Sequence, residues 1–181
     1  MGTQFDLLIR NATVIDGTGA DRFHADIGIN GDRITQIGDL SECTAKEEID
    51  LKGQVAAPGF IDAHTHDDRM MLSNPEMTPK VSQGVTTIIG GNCGVSLAPM
   101  PRPIPDPVTP PLNLLDDEGG WFRFPSFKSY LDALRAEPST TNRAMLVGHT
   151  TLRVATMDDF EKPATTEQIQ AMRELVVEAM Q

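Results

Sequence analysis

The sequence predicts an α/β fold in which a small β domain precedes a parallel sheet that carries helices on its faces. Two observations support this fold class. Residues 1–57 contain short apolar segments separated by turns rich in glycine and asparagine, a pattern typical of short strands. Residues 58–181 instead alternate almost continuously apolar segments with segments of helical periodicity, a pattern typical of strand-helix units.

The small β domain is predicted to consist of short strands joined by tight turns. Asp16-Gly17-Thr18-Gly19 ends the first apolar stretch, and Asn30-Gly31 separates two segments of apolar and polar alternation. Such a dipeptide between two strands predicts a hairpin with a tight turn. The predicted strands are residues 5–9, 12–15, 26–29, 34–37 and 48–51.

The second part of the chain is predicted to contain three strand-helix units. Residues 55–63 are almost entirely apolar, as expected of one strand covered on both faces, and residues 85–89 and 144–147 follow the same pattern. Ser126 is placed to cap a helix that runs through Leu134. Thr165 with Gln168 predicts a capping box for a helix that extends to Met180.

A proline-rich segment interrupts this pattern after the second strand of the sheet. Eight of the 13 prolines lie between Pro99 and Pro125, which excludes a long helix or a central strand there. In a parallel barrel the loop at this end of a strand faces the active site, so a lid or substrate wall is one interpretation. A semi-rigid surface excursion is the other.

Charge and cysteine content narrow the possible partners and the location. The formal net charge of −11 would repel nucleic acids and anionic membrane surfaces, so we expect neither as a partner. We find neither a secretory signal pattern nor an apolar stretch of about 18 residues, and we therefore expect a cytoplasmic protein. Two cysteines are too few for a disulfide framework, so each is a buried hydrophobe, a thiolate or a metal ligand.

Two histidines follow the first apolar strand of the second part. His64 and His66 are separated by one residue, and the period of two along an extended chain places both imidazoles on the same face. Two neutral imidazoles in this arrangement suit Zn2+ or a similar borderline metal. The pair alone is a weak signal, and its sequence context decides the interpretation.

The segment Pro58-Gly59-Phe60-Ile61-Asp62-Ala63-His64-Thr65-His66, preceded by the β domain, resembles the amidohydrolase superfamily. Together, three motifs in the order of the chain resemble the N-acyl-D-amino-acid deacylases, or D-aminoacylases. The motifs are residues 64–68, Gly91-Asn92-Cys93-Gly94 and Gly148-His149-Thr150-Thr151-Leu152-Arg153. The resemblance implies a small β-sandwich-type domain followed by the first part of a (β/α)8 TIM barrel.

The resemblance also implies the metal ligands. In this branch a cysteine after the second barrel strand replaces a carboxylated lysine, and Cys93 matches it, so His64, His66 and Cys93 are expected to bind one or two Zn2+ ions. A thiolate is a good zinc ligand, although a small buried cysteine in a glycine-rich turn is the alternative interpretation. Cys43 has no comparable setting and is assigned to packing, and His24 in the β domain needs no function.

Asp67, Asp68 and His149 each have two interpretations. Asp67 and Asp68 are expected either to hydrogen-bond a ligand imidazole or helix N–H groups, or simply to be solvated. His149 follows a buried strand at the same end, where it either contacts substrate or is a hydrogen-bonded structural residue. The proton-shuttling aspartate implied by the family is expected beyond Gln181.

The resemblance implies hydrolysis of the amide bond of N-acyl-D-amino acids, with a metal-bound hydroxide attacking the acyl carbonyl. A full barrel takes about 250 residues, so the remaining strands are expected in the same or a second polypeptide, and residues 1–181 alone are expected to be inactive. Two alternatives stay open, a cyclic-amide hydrolase similar to dihydroorotases or dihydropyrimidinases and a non-catalytic assembly subunit.

Overall fold

The computed structural model describes residues 4–181, so residues 1–3 of the predicted β domain lie outside the described residues. Contacts divide the chain into two compact units, one ending at Pro58 and the other formed by Gly59–Gln181. Among the described residues, no helix is long and apolar enough to cross a membrane.

The first unit is a five-stranded sheet. Strands β1 and β2 and strands β2 and β3 are antiparallel, whereas β4 and β5 both run parallel to β1. The order is β3-β2-β1-β4, with β5 beside the end of β1. The strands are β1 Gln4–Val14, β2 Phe23–Asn30, β3 Arg33–Gly38, β4 Thr44–Asp50 and β5 Val55–Ala56. The described residues of this unit thus form one sheet, and a sandwich stays a prediction.

The predicted hairpin is present, whereas the first two predicted strands are one element. Asn30 pairs with Arg33 across the turn between β2 and β3, and Gly31 there has a φ of 57°. Residues 5–9 and 12–15 join into β1 because a bulge absorbs Asn11, whose φ of 55° suits asparagine. The two predicted strands are therefore one strand, β1, which pairs with β2, β4 and β5.

Arg10 holds the connections of this sheet together. Its guanidinium donates to the backbone oxygens of Leu40 at 2.8 Å and Cys43 at 2.9 Å, and it forms ion pairs with Asp26 and Glu48. Leu40 is buried, and Cys43 packs partly buried against the same apolar cluster. This setting agrees with a packing role for Cys43.

The second unit contains a three-stranded parallel sheet with the order β6-β7-β8, as predicted from the alternation of strands and helices. Its strands are β6 Phe60–Asp62, β7 Val85–Gly90 and β8 Asn142–Met145. Its helices are α1 Met70–Ser73, α2 Thr78–Val81, α3 Phe127–Ala136, α4 His149–Thr156 and α5 Thr166–Ala179. The carboxyl ends of the three strands lie at one edge of the sheet.

The prediction of one covered strand over residues 55–63 is wrong. Pro58 lacks a backbone donor, and the strand divides there: β5 pairs with β1, and β6 pairs with β7. Phe60 and Ile61 are 64% and 65% exposed because β6 is an edge strand among the described residues. Successive side chains of a strand point to opposite faces, so β6 exposes apolar side chains on both faces within this unit.

The two predicted helix starts are confirmed. The Ser126 hydroxyl accepts a hydrogen bond from the Ser129 N–H at 3.0 Å at the start of α3. The Thr165 hydroxyl accepts from the Gln168 N–H at 3.3 Å, and the Gln168 side chain accepts from the Thr165 N–H at 2.9 Å. These reciprocal bonds satisfy backbone donors that an α-helix leaves free at its first turn.

The proline-rich segment forms only one 3-10 turn among the described residues, Leu112–Leu114. It is nevertheless packed into the core, because it contributes a set of buried apolar side chains: Met100, Val108, Leu112, Leu115, Phe122 and Phe124. The Arg102 guanidinium also donates to the Val154 carbonyl oxygen of α4 at 2.8 Å. A semi-rigid surface excursion is therefore the wrong description of this segment. Its role as a lid or substrate wall stays a prediction.

Candidate metal centre

The three predicted metal ligands lie at the carboxyl edge of the parallel sheet. His64 and His66 follow the end of β6, and Cys93 lies in the 3-10 turn Asn92–Gly94 that follows β7. Since β6 and β7 are neighbouring parallel strands, the segments that leave them emerge side by side. The topology thus brings together residues that are far apart in the sequence.

The ligand atoms of these residues converge. One atom of each of His64, His66 and Cys93 lies within 4.8 Å of the other two, and His64 Nε2 is 2.9 Å from Cys93 Sγ. The two imidazole rings are 5.8 Å apart between centroids and inclined by 74°. Bonds of about 2.0–2.3 Å from zinc to nitrogen and sulfur require donors clustered on this scale.

The chemistry of these donors fits a borderline metal ion. Two imidazole nitrogens and one thiolate are a combination that zinc prefers, in contrast to the all-oxygen sites of calcium and magnesium. In addition, His66 Nδ1 is buried and has no hydrogen-bond partner within residues 4–181. Buried polar atoms are nearly always paired, so this orphaned nitrogen is consistent with a residue that belongs to a polar site.

Cys93 is held in an unusual backbone conformation. Its φ is 54°, and Gly91 and Gly94 on either side have φ values of 78° and 76°. A left-handed conformation in a residue other than glycine costs about 1–3 kcal/mol and is concentrated at functional sites. Cys93 is also exposed, so nothing within residues 4–181 buries it as the alternative interpretation expects.

Gly91 permits the close approach that places this turn. A Cβ atom at Gly91 would lie 2.0 Å from the carbonyl oxygen of Leu146, which follows β8. We expect Gly91→Ala to lower the free energy of unfolding by more than about 2 kcal/mol, because left-handed strain adds to a backbone clash. Urea unfolding followed by circular dichroism measures this change.

Gly120→Ala is the matched control, because a Cβ there meets no atom within 4 Å. Its free energy of unfolding should stay within about 0.5 kcal/mol of the original protein. Equal destabilisation by the two substitutions would contradict the close approach at Gly91.

Asp68 contacts the turn formed by residues 91–94, the cysteine turn, rather than an imidazole. Its side chain is fully buried and accepts a hydrogen bond from the Gly91 N–H at 3.2 Å. Burial raises the pKa of the Asp68 carboxyl to about 6, and the Gly91 N–H opposes this shift. The Tyr130 hydroxyl donates to the backbone oxygen of Asp68 at 2.9 Å. Asp68 therefore links the histidine segment to the cysteine turn and to α3.

Asp67 also differs from the sequence-based expectation, and Asn92 is an additional residue of the site. Asp67 accepts from the Thr65 hydroxyl at 2.5 Å and pairs with Lys80 at 2.9 Å. The Asn92 side chain donates to the backbone oxygens of Ile89 at 2.5 Å and Thr65 at 3.4 Å, so it joins the two ligand segments. Asn92 was not predicted as a site residue. Its position directly before Cys93 was the signal that could have identified it.

His149 lies outside the three-residue cluster. It is the first residue of α4 and is exposed, and its backbone nitrogen would lie 3.9 Å from a Cβ atom at Gly94. The N-terminus of α4 is thus beside the cysteine turn. The His149 side chain borders an apolar groove formed with α5, and its role in substrate binding stays a prediction.

The chain is similar to several known proteins along most of its length. A family model described as amidohydrolase family matches residues 47–181. The D-aminoacylase of Alcaligenes xylosoxydans xylosoxydans is 54% identical over 176 residues, which cover 97% of this chain and 36% of that protein. The chain thus spans about a third of the length of this relative.

Two solved structures are also similar. A D-aminoacylase structure from a study of its binuclear metal centre is 53% identical, with a TM-score of 0.91 over 97% of this chain and 36% of that one. N-acyl-D-glutamate deacylase from Bordetella bronchiseptica, complexed with zinc and a phosphonate inhibitor that mimics the tetrahedral reaction intermediate, is 42% identical. Its TM-score is 0.85, covering 96% of this chain and 35% of that chain. The described residues therefore have the mixed α/β fold of D-aminoacylase, without a closed barrel.

Proposed function

Because the chain belongs to the amidohydrolase family, we propose that it forms the metal-binding part of an enzyme that hydrolyses the amide bond of N-acyl-D-amino acids. One observation carries this proposal: His64, His66 and Cys93 converge within 4.8 Å at the carboxyl edge of the sheet. The relatives with high identity are named as deacylases of such compounds, which favours this substrate class over cyclic amides.

We propose that these three residues hold zinc, as one or two ions. When bound, zinc supplies an activated water and polarises the acyl carbonyl, which lowers the barrier to amide hydrolysis. The residues of this chain have the task of fixing the ion in place. Each neutral imidazole donates a lone pair, and the Cys93 thiolate adds a negative charge that suits contact with more than one cation.

We further propose that the rest of the barrel completes the site, in the same chain or in a second polypeptide. Apolar side chains at the edges of the described sheet support this: Phe60 on β6 and Leu146 after β8 are 64% and 48% exposed. The proton-shuttling aspartate and the remaining ligands would come from those strands. Residues 58–181 are then the first three strand-helix units of the barrel, and residues 1–57 are part of a separate β domain.

The test is a deacylation assay with N-acyl-D- and N-acyl-L-amino acids that have apolar or acidic side chains. Protein that carries the remaining barrel strands should release free D-amino acids, lose this activity with a chelator and regain it with zinc. Residues 1–181 alone should be inactive, because fixed placement of the reacting groups is worth roughly 7–11 kcal/mol and needs groups from across the barrel. Hydrolysis of dihydropyrimidines but not of linear amides would contradict the proposal, as would zinc-dependent turnover by residues 1–181 alone.

A further inference from the structure

Lys80 is bound by three oxygen atoms, none of which lies in its own helix. Its ammonium is 2.6 Å from Asp62 Oδ2, 2.9 Å from Asp67 Oδ2 and 3.1 Å from Thr65 Oγ1. An ammonium has three N–H donors, so each donor has an acceptor. The Lys80 side chain is 21% exposed, and a pair so shielded from water is stronger than one at the surface.

The three acceptors surround the predicted histidine ligands along the chain. Asp62 precedes His64 by two residues, Thr65 lies between His64 and His66, and Asp67 directly follows His66. A single side chain thus contacts the ligand segment before, between and after the two histidines. Fixing these three points restricts the conformations open to both imidazoles.

The backbone of the ligand segment has few hydrogen bonds to the neighbouring strand β7, and the side chains of Asn92 and Asp68 provide further contacts to it. Strand β6 ends at Asp62, and among the described residues the next hydrogen bond that joins this backbone to β7 is from the Thr65 N–H to the Ile89 oxygen, at 3.4 Å. That distance is at the long end for an N–H···O bond. Side-chain contacts therefore carry most of the placement of His64 and His66.

The backbone of Lys80 is tied to the core of the second unit. Its backbone N–H donates to the Met77 oxygen at 2.8 Å, and the Met77 side chain is fully buried in the core of the second unit. Since helix α2 begins directly after Met77, the position of the lysine is tied to that core. The backbone of Lys80 is therefore held in place, and the three acceptors hold the ammonium at the end of its flexible stem.

We propose that Lys80 is a positioning residue for the metal centre, holding the segment from Asp62 to Asp67 so that His64 and His66 face Cys93. The inference rests on the proposed function, because it assumes that these three residues bind metal. Without the ammonium, Asp62 and Asp67 are left as two neighbouring carboxylates that repel each other. The ligand segment then moves, and the ligand set is no longer preformed.

The test is Co2+ titration of the protein, followed by the charge-transfer absorption of the cobalt–thiolate bond and the ligand-field bands of the ion. We expect Lys80→Met to lower the Co2+ affinity by about 10- to 100-fold, the usual effect of losing a group that orients metal ligands. The spectrum at saturating Co2+ should also change, because the coordination geometry changes. Lys80→Arg, which keeps the charge and several donors, should recover much of the affinity.

Lys128→Met is the matched control, since Lys128 is a 73% exposed lysine that pairs with Asp132 in the same unit. It should bind Co2+ with unchanged affinity and spectrum. If Lys80→Met does not fold, Asp67→Asn/Lys80→Met takes its place, because it removes one charge of each sign and has the same expected loss. Circular dichroism confirms folding of each variant.

Two results would overturn the positioning role. The first is an unchanged affinity in folded Lys80→Met, and the second is a weaker affinity with an unchanged spectrum at saturation, which indicates only general destabilisation. Cys93→Ser separates this failure from that of the proposed function. If the original protein has no cobalt–thiolate absorption, or keeps it in Cys93→Ser, the metal centre itself is wrong and the role of Lys80 falls with it.

Discussion

Replacing His64 or His66 by Ala lowers amide hydrolysis by at least about 100-fold in protein that carries the complete barrel, because groups that merely orient metal ligands are already worth about 10–100-fold. Both residues follow the end of β6, and their side chains converge on Cys93 without belonging to the apolar core cluster. His64 is exposed and His66 is half-buried, so we expect the fold to survive both substitutions.

The decisive measurement is turnover with and without added zinc, alongside circular dichroism. If two metal positions differ in affinity, tightly bound zinc changes little while activity falls, so metal content alone does not decide. His24→Ala is the control, because His24 belongs to the sheet of the first unit. Original rates in either His64→Ala or His66→Ala without added metal would refute the ligand roles.

Replacing Cys93 by Ser weakens zinc binding by more than about 100-fold, because a weakly coordinating hydroxyl takes the place of a thiolate and even outer contacts are worth 10–100-fold. Cys93 has a left-handed backbone and a side chain that is exposed within residues 4–181, and both observations favour a chemical role over a packing role. Competition with a chromogenic chelator measures the zinc affinity.

Cys43→Ser is the matched control. Cys43 packs partly buried beside Phe5, Leu8 and Leu40, far along the sequence from the histidines. Its replacement should leave the zinc affinity unchanged. Equal loss of zinc in the two variants, or in neither, would contradict the assignment of Cys93.

Local sequence signals predicted those parts of the fold that depend on local interactions. Ser126 and Thr165 cap their own helices, and Asn30-Gly31 forms a turn between adjacent strands, so neighbouring residues determine each result. The division of residues 55–63 was missed because an apolar run looks the same whether one strand or two share it. The burial of the proline-rich segment was missed because its apolar residues have no regular period.

The candidate site also contains residues that local signals predicted and residues that only the fold brings together. His64, His66 and Cys93 were identifiable because the ligand types stand at strand ends within recognisable motifs. Lys80 gave no such signal, since its partner Asp62 is 18 residues away and only the fold brings them together. The approach of the Leu146 oxygen to Gly91 likewise joins residues that are distant in the sequence.

X-ray absorption spectroscopy of the zinc-loaded protein tests most directly whether His64, His66 and Cys93 bind one metal centre. We expect a sulfur scatterer at about 2.3 Å together with nitrogen scatterers at about 2.0–2.1 Å. The sulfur shell should disappear in Cys93→Ser and persist in Cys43→Ser. A shell of nitrogen and oxygen alone in the original protein, or a sulfur shell that survives in Cys93→Ser, would contradict the metal centre.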